Sequence, residues 1–305
     1  MQTFGLMMHV QPRLTRTLIA FVVFAALWTP PPGAWCSDGA FDSTDVHVLH
    51  WPSNGTKRRE RLPLVVVIPG LGTSASDYEW LTRAAGVNAA VLKLRSNQHY
   101  TANTGIVDLS RTVQRLRAAH ADRLCERTVF VAHSMGTRAA HRSARALQHM
   151  GYNPSELAVI AFGVALVPHA ILEGRRYAAV HVTGTEDCMT PPPELAWTSW
   201  SNADAPPPTL ALLARGANHR FWTDSGDGGR YALAAGCHSA SRTSMHAVGG
   251  NLLRVALAAP GGRIIAFARA YARTRPAFLN ELLQKNRTPS TSRCCCELLQ
   301  WPWCA

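Results

Sequence analysis

Short apolar runs recur along the chain, and most are followed by a stretch with helical spacing. Asp45-Val-His-Val-Leu-His-Trp51 alternates as an edge strand does, and Asn54-Gly55 behind it is a turn signal. Leu62-Pro-Leu-Val-Val-Val-Ile68 is rich in β-branched residues and predicts a strand buried on both faces. Further strands are predicted at Asn88–Leu94, Val129–Ala132, Leu157–Phe162, Ala178–Val182 and, last, Thr209–Ala214. Helical sequence lies between them at Asp77–Ala85, Val107–Leu124 and Thr137–Gln148. In the second of these, Leu109, Val113, Leu116 and Ala119 share a face, and Arg111, Arg115 and Arg117 lie elsewhere on its surface. In the third, Ala140, Ala144 and Leu147 form an apolar stripe and Arg138, Arg142 and Arg145 a solvent face. Two more helices are expected, Ser239–Ala259 and Arg263–Gln284, the latter interrupted at Pro276.

Strands alternating with helices through short connections predict an α/β fold with a mostly parallel sheet covered on both faces. Within it, one stretch carries chemistry: Arg127-Thr-Val-Phe-Val-Ala-His-Ser-Met-Gly136. A buried strand runs without a gap into a tight turn and then a helix, with Ser134 at the tip. That is the layout of a nucleophile elbow. The turn demands small residues two before and two after the serine, here Ala132 and Gly136. Glycine is usual at both places, and a methyl group still meets the steric demand.

The elbow resembles that of the α/β-hydrolase superfamily, over roughly residues 44–278. The resemblance implies a serine esterase or lipase with a Ser-His-Asp triad in the chain order serine, acid, histidine. The acid it implies is Asp187, three residues beyond the glycine that ends a strand in Val182-Thr-Gly-Thr-Glu-Asp-Cys-Met-Thr-Pro191. Neighbouring Glu186 is the alternative. The base is His219, in Ala214-Arg-Gly-Ala-Asn-His219 after the last strand. His133 lies inside the elbow and is expected to point away from the partner of Ser134. His169 and His238 lack the order and context together. The oxyanion donors implied are the amides of Met135, after the nucleophile, and Leu71, in Pro69-Gly70-Leu71. Pro69 stands where the family usually has histidine, which leaves that loop's hydrogen bonding to be accounted for.

Only Val167–Arg176 separates Leu166 from the next strand, which leaves no room for a helical lid. An open cleft follows, as in the branch that includes cutinases, polyester hydrolases and chlorophyllases. A Cys188–Cys237 disulfide would tie the acid loop to the segment after His219; free or differently paired thiols are the alternative.

Composition adds bounds. The 305 residues are 47% hydrophobic and 16% charged, which fits a globular domain with a sizeable core. The net charge of +12 is carried mostly by scattered arginines. The one dense run, Lys57-Arg58-Arg59-Glu60-Arg61, includes an acid, so a solvated basic surface is favoured over a nucleic-acid site. Arg13 and Arg16 before apolar Leu18–Trp28 look like a secretory signal within residues 1–36, with an uncleaved anchor as the alternative. Eight cysteines suit an exported enzyme. Residues 286–305 form a Cys-rich tail with no predicted fold. No metal or organic cofactor is implied.

The expectation is an exported hydrolase of carboxylic esters working through an acyl-enzyme on a small-molecule, lipid or polyester substrate. Thioesterase, amidase and acyltransferase chemistry could use the same residues. An inactive hydrolase-like binding protein, or a binder of nucleic acid or membrane surface resting on the basic charge, are the rivals from other classes.

Overall fold

The computed structural model describes residues 47–52, 61–70, 73–94, 109–165, 167, 169–190, 209–224, 240–258, 261–275 and 279–281. Strands β1 (His47–His50), β2 (Leu62–Ile68) and β3 (Ala90–Leu94) come first, with helix α1 (Glu79–Ala85) between the last two. Helix α2 (Ser110–Ala119), β4 (Leu124–His133), α3 (Gly136–His149) and β5 (Leu157–Phe162) follow. Then come α4 (His169–Leu172), β6 (Ala178–Gly184), β7 (Thr209–Ala214), α5 (Arg242–Ala258), α6 (Gly261–Arg273) and β8 (Leu279–Glu281).

The strands form one sheet in the order β1-β3-β2-β4-β5-β6-β7-β8. Strands β3 to β7 pair in parallel, and the outer strands β1 and β8 are antiparallel. Alternation along each strand sorts side chains onto two faces. Val65, Val67, Val129, Val131, Ile160 and Val180 pack with Trp80, Leu81, Leu252 and Ile264 of α1, α5 and α6. Leu64, Val66, Ile68, Phe130 and Val159 pack with Val113, Ala140, Ala144 and Leu147 of α2 and α3. Both faces are thus dry, which explains why the central strands read as unbroken apolar runs.

Three expectations need correction. Helix α6 ends at Arg273 rather than running to Gln284, and Thr209–Ala214 is not the last strand. Proline lacks the helical N–H and pushes the residue before it out of helical geometry, so Pro276 ends the pattern rather than kinking it. The chain then returns as β8, with Leu279 opposite Ala214 and Glu281 opposite Leu212, so the sheet extends past residue 278. The buried stripe of α2 is narrower than its spacing suggested: Leu109 and Val113 are buried, while Ala119 is exposed. Arg117 is half-buried, and it donates to Thr128 Oγ1 at 2.5 Å and to the carbonyl of Glu126.

The parallel strands β2, β4, β5, β6 and β7 all deliver their carboxyl ends to one rim. Ligands of open α/β sheets bind there. Asn54, Leu71, Cys237, His238, the 1–36 segment and the 286–305 tail lie outside the described residues.

Candidate active site

Strand β4 runs directly into Ser134, whose φ of +52° is the one positive value outside glycine among the described residues. An L-residue in this left-handed region costs about 1–2 kcal/mol. Two backbone bonds hold it there: Ser134 N–H donates to the Phe162 carbonyl at 2.9 Å, and the Ser134 carbonyl accepts from Thr137 N–H at 3.0 Å. Gly136 has no room for a side chain, because a Cβ would lie 2.6 Å from the Ile68 carbonyl oxygen. Gly70 is equally confined, since a Cβ would lie 2.9 Å from that of Ser134. The small-residue demand read from the sequence therefore has a physical source, the close passage of the β2 loop over the elbow. Met135 is the N-cap of α3, so its amide belongs to the first turn, where N–H groups lack partners within the helix.

The candidate acid lies in the turn after β6. Asp187 is fully buried, and its N–H donates to the Gly184 carbonyl at 3.2 Å. A buried carboxylate needs donors on its oxygens. Asp187 has the Met189 amide at 3.1 Å, the Thr190 amide at 2.8 Å, the Thr190 hydroxyl at 2.9 Å, and His219 Nδ1 at 2.9 and 3.0 Å. The carboxylate accepts, so Nδ1 of His219 carries the proton and Nε2 is left with its lone pair. Neighbouring Glu186 instead donates its own amide to the Ala217 carbonyl at 3.0 Å.

His219 opens a short helical turn, His219–Trp222, capped by the Asn218 side chain accepting from Arg220 N–H at 3.0 Å. Trp222 anchors this turn. It is fully buried, stacks on Phe162 at 4.5 Å between ring centroids, and its carbonyl accepts from Trp80 Nε1 at 2.9 Å.

Asp187 and His219 are joined directly. Ser134 reaches them through β5: its amide is bonded to Phe162, and the next residue, Gly163, faces the imidazole of His219. The hydroxyl and imidazole are not themselves hydrogen-bonded among the described residues. Catalytic hydrogen bonds of this kind often close only with substrate present.

Four residues near the rim were not singled out from the sequence: Thr190, Tyr78, Thr73 and, as a partner, His133. The hydroxyl of Tyr78 accepts from Gly70 N–H at 3.1 Å, and Thr73 Oγ1 donates to the Gly70 carbonyl at 2.8 Å. These side chains support the β2 loop in which Pro69 replaces histidine. His133 does not point away from the site. Its ring centroid is 4.6 Å from that of His219, and Nε2 lies 2.9 Å from the His219 carbonyl. Burial first, and His219 beside it second, hold His133 well below the ordinary imidazole range. Burial likewise raises the Tyr78 phenol. No signal short of the fold places Tyr78 beside His133.

Among the described residues no cluster of His, Cys, Asp and Glu is arranged to hold a metal ion, and no helix is long and apolar enough to cross a membrane.

No family model matches the chain, and no curated protein does. Among solved structures it is similar to a ferulic acid esterase from Streptomyces cinnamoneus, with a TM-score of 0.52 and 15% identity. That match covers 73% of this chain and 74% of the other. The chain has the α/β-hydrolase fold. In α/β-hydrolases the nucleophile precedes the acid and the acid precedes the histidine. Ser134, Asp187 and His219 stand in that order at the ends of β4, β6 and β7.

Proposed function

We propose that this protein is a serine hydrolase that cleaves carboxylic esters through an acyl-enzyme. The observation that carries the reading is the buried Asp187–His219 pair, 2.9 Å apart, set across Gly163 from a serine with left-handed backbone at the end of β4. Ser134 Oγ attacks the ester carbonyl while His219 Nε2 takes its proton. Asp187 holds Nδ1–H and stabilises the imidazolium that forms. The Met135 amide, with the sequence-nominated Leu71 amide, meets the oxyanion, each donor being worth roughly 3 kcal/mol of barrier. His219 then protonates the leaving alcohol. A water, activated by the same nitrogen, releases the acid and restores Ser134.

The substrate class in this reading is a bulky or surface-presented ester in an open cleft, as in cutinase- and chlorophyllase-like hydrolases. The four-residue α4 is the helix found between β5 and β6, which supports it. The similarity to a ferulic acid esterase supports ester chemistry in general. Export belongs to the reading through the apolar Leu18–Trp28 segment. A disulfide at Cys188 stays part of the reading, its partner Cys237 lying outside the described residues, and Cys125 is a free thiol.

The test is a fluorophosphonate probe followed by a turnover screen over p-nitrophenyl esters of graded chain length, with thioester and amide analogues alongside. Labelling and ester turnover lost in Ser134→Ala support the reading. A folded protein that does not label, or labelling that survives Ser134→Ala, overturns it. Turnover confined to thioesters or amides would move the reaction to that class on the same triad.

A further inference from the structure

Strands β2 and β7, which lead into the β2 loop and the His219 turn, lie on opposite sides of β4 in the sheet, and one side-chain chain connects the two segments. Tyr78 and His133 are 55 positions apart, yet Tyr78 Oη and His133 Nδ1 are 2.8 Å apart. Tyr78 Oη also accepts from Gly70 N–H at 3.1 Å. At the other end, His133 Nε2 is 2.9 Å from the His219 carbonyl. Tyr78, His133 and His219 are all at most 2% exposed.

The direction of every bond in this chain follows from donor and acceptor chemistry. A carbonyl oxygen only accepts, so Nε2 of His133 carries a proton. Burial keeps the ring neutral, with one proton to place, so Nδ1 is the acceptor. Tyr78 O–H therefore donates to Nδ1 and receives the Gly70 amide on its oxygen. The result is one directed path: Gly70 N–H to Tyr78, Tyr78 O–H to His133, His133 Nε2–H to the carbonyl of His219.

We propose that Tyr78 and His133 are positioning residues, forming a hydrogen-bonded strut across the elbow that sets the distance between the oxyanion-side loop and the catalytic histidine. This rests on the esterase reading above and deepens it. The two backbone points the strut joins are those that must be spaced correctly around a tetrahedral intermediate. Gly70 precedes the nominated donor Leu71, and the His219 main chain carries the base. The ring of His133 also packs on that of His219, tilted by 40°. A neutral neighbour in that place does not oppose the imidazolium that His219 becomes during turnover. Misplacing reacting groups by about 1 Å can cost on the order of 100-fold in rate. The Thr73 hydroxyl lies 2.8 Å from the Gly70 carbonyl and 2.9 Å from Tyr78 Oη. With the Tyr78 proton directed to His133, it is the donor to both. Its bond to the carbonyl survives loss of Tyr78 Oη, so that loss loosens the loop without releasing it.

The experiment compares Tyr78→Phe, His133→Gln and the double variant with the wild type. Gln keeps a donor for the His219 carbonyl but breaks the link to Tyr78. Steady-state kinetics on a p-nitrophenyl ester, the rate of fluorophosphonate labelling, circular dichroism and 15N-histidine NMR are measured on each. Tyr78→Phe is expected to lower kcat and the labelling rate together, roughly 10- to 100-fold, with KM changed less than about twofold. His133→Gln should fall by a similar factor, and the double variant should be no worse than the poorer single one, because one strut is broken either way. In the wild type, the His133 resonances, identified by their loss in His133→Gln, should show the Nε2–H form unchanged from pH 5 to 8. Folded Tyr78→Phe with wild-type kcat and labelling rate overturns the positioning role. A His133 that titrates, or that carries its proton on Nδ1, overturns the strut itself. A wild-type protein with neither turnover nor labelling removes the esterase reading and the positioning role with it, and the NMR signature then decides the strut alone.

Discussion

Gly163 stands so close to His219 that a Cβ there would lie 2.9 Å from Nδ1 of the imidazole and 3.2 Å from Asp187 Oδ2. Its φ of +52° places it in the region that L-residues avoid. The glycine after β5 is thus a spacer that lets the Asp187–His219 pair, the proposed acid and base, rest against the sheet rim beside the elbow. Gly163→Ala should push the imidazole off Asp187, lowering kcat by about 100-fold or more while circular dichroism stays native. Wild-type turnover in that variant would show that the pair has room to shift.

Asp187 and Thr190 form a small self-contained acid loop, with the threonine supplying two of the carboxylate's donors. Thr190 Oγ1 also lies 3.1 Å from His219 Nδ1. Asp187→Asn should cut kcat by on the order of 10,000-fold, because an amide no longer selects the Nδ1–H form of His219. Thr190→Val keeps shape and volume but loses the hydroxyl, and roughly a tenfold fall in kcat with unchanged KM is expected. Equal KM and kcat in Thr190→Val and wild type would assign the hydroxyl no part in holding the acid.

A Cβ at Gly136 would lie 2.6 Å from the Ile68 carbonyl oxygen and 2.8 Å from that of Pro69, with Ile68 Cγ2 at 3.0 Å, so a methyl group there runs into backbone that cannot swing aside. Gly136→Ala is expected to lose about 1–3 kcal/mol of stability, as overpacking usually costs, and to disturb the elbow at the same time. Urea unfolding with an unchanged midpoint would contradict this.

Buried histidines make the fold acid-sensitive. On the α3 face of the sheet, Tyr177 O–H donates to the His141 carbonyl at 3.1 Å, so His141 Nδ1 donates to Tyr177 Oη at 3.0 Å. Nε2 of His141 then accepts from His181 Nε2 at 2.9 Å. Burial, reinforced by His181 for His141 and by Arg175 for both, lowers these imidazoles, His181 to about 3. His133 is lowered in the same way. Each folded value lies below the unfolded one near 6.5. Between the two the unfolded chain binds more protons, so stability is full above about pH 6.5 and falls as the pH drops below it. The slope is up to roughly 1.4 kcal/mol per pH unit for each ring. Urea midpoints at pH 7.5, 6 and 5 should fall steadily, and less steeply in a folded His181→Gln variant. A flat series would refute the linkage.

Much of the rim was legible because its signals are local. Ala132, Ser134 and Gly136 sit in one pentapeptide, and Asp187 and His219 each follow a strand by a short glycine-containing turn. The alternation of apolar runs with helical spacing gave the layered sheet for the same reason. Strand β8 was hidden because three residues after Pro276 carry too little pattern to be told from a broken helix. Arg117 was misplaced because its long stem can bury while its head finds a strand carbonyl, which spacing alone does not reveal. Tyr78 and Thr73 were invisible for a different reason. Their role is set by partners brought together only when β2 and β4 pair, and neither a helical period at Tyr78 nor a lone threonine at position 73 betrays such a partner.

The left-handed backbone at Ser134 sets activity against thermal endurance. Ser134→Ala deletes the hydroxyl and keeps the unfavourable φ, whereas Ser134→Gly deletes both, so the glycine variant should melt above the alanine one, by about 1 kcal/mol in stability. Under the proposed function, selection for heat resistance alone would therefore erase the serine, and only a demand for turnover keeps a side chain at that bend.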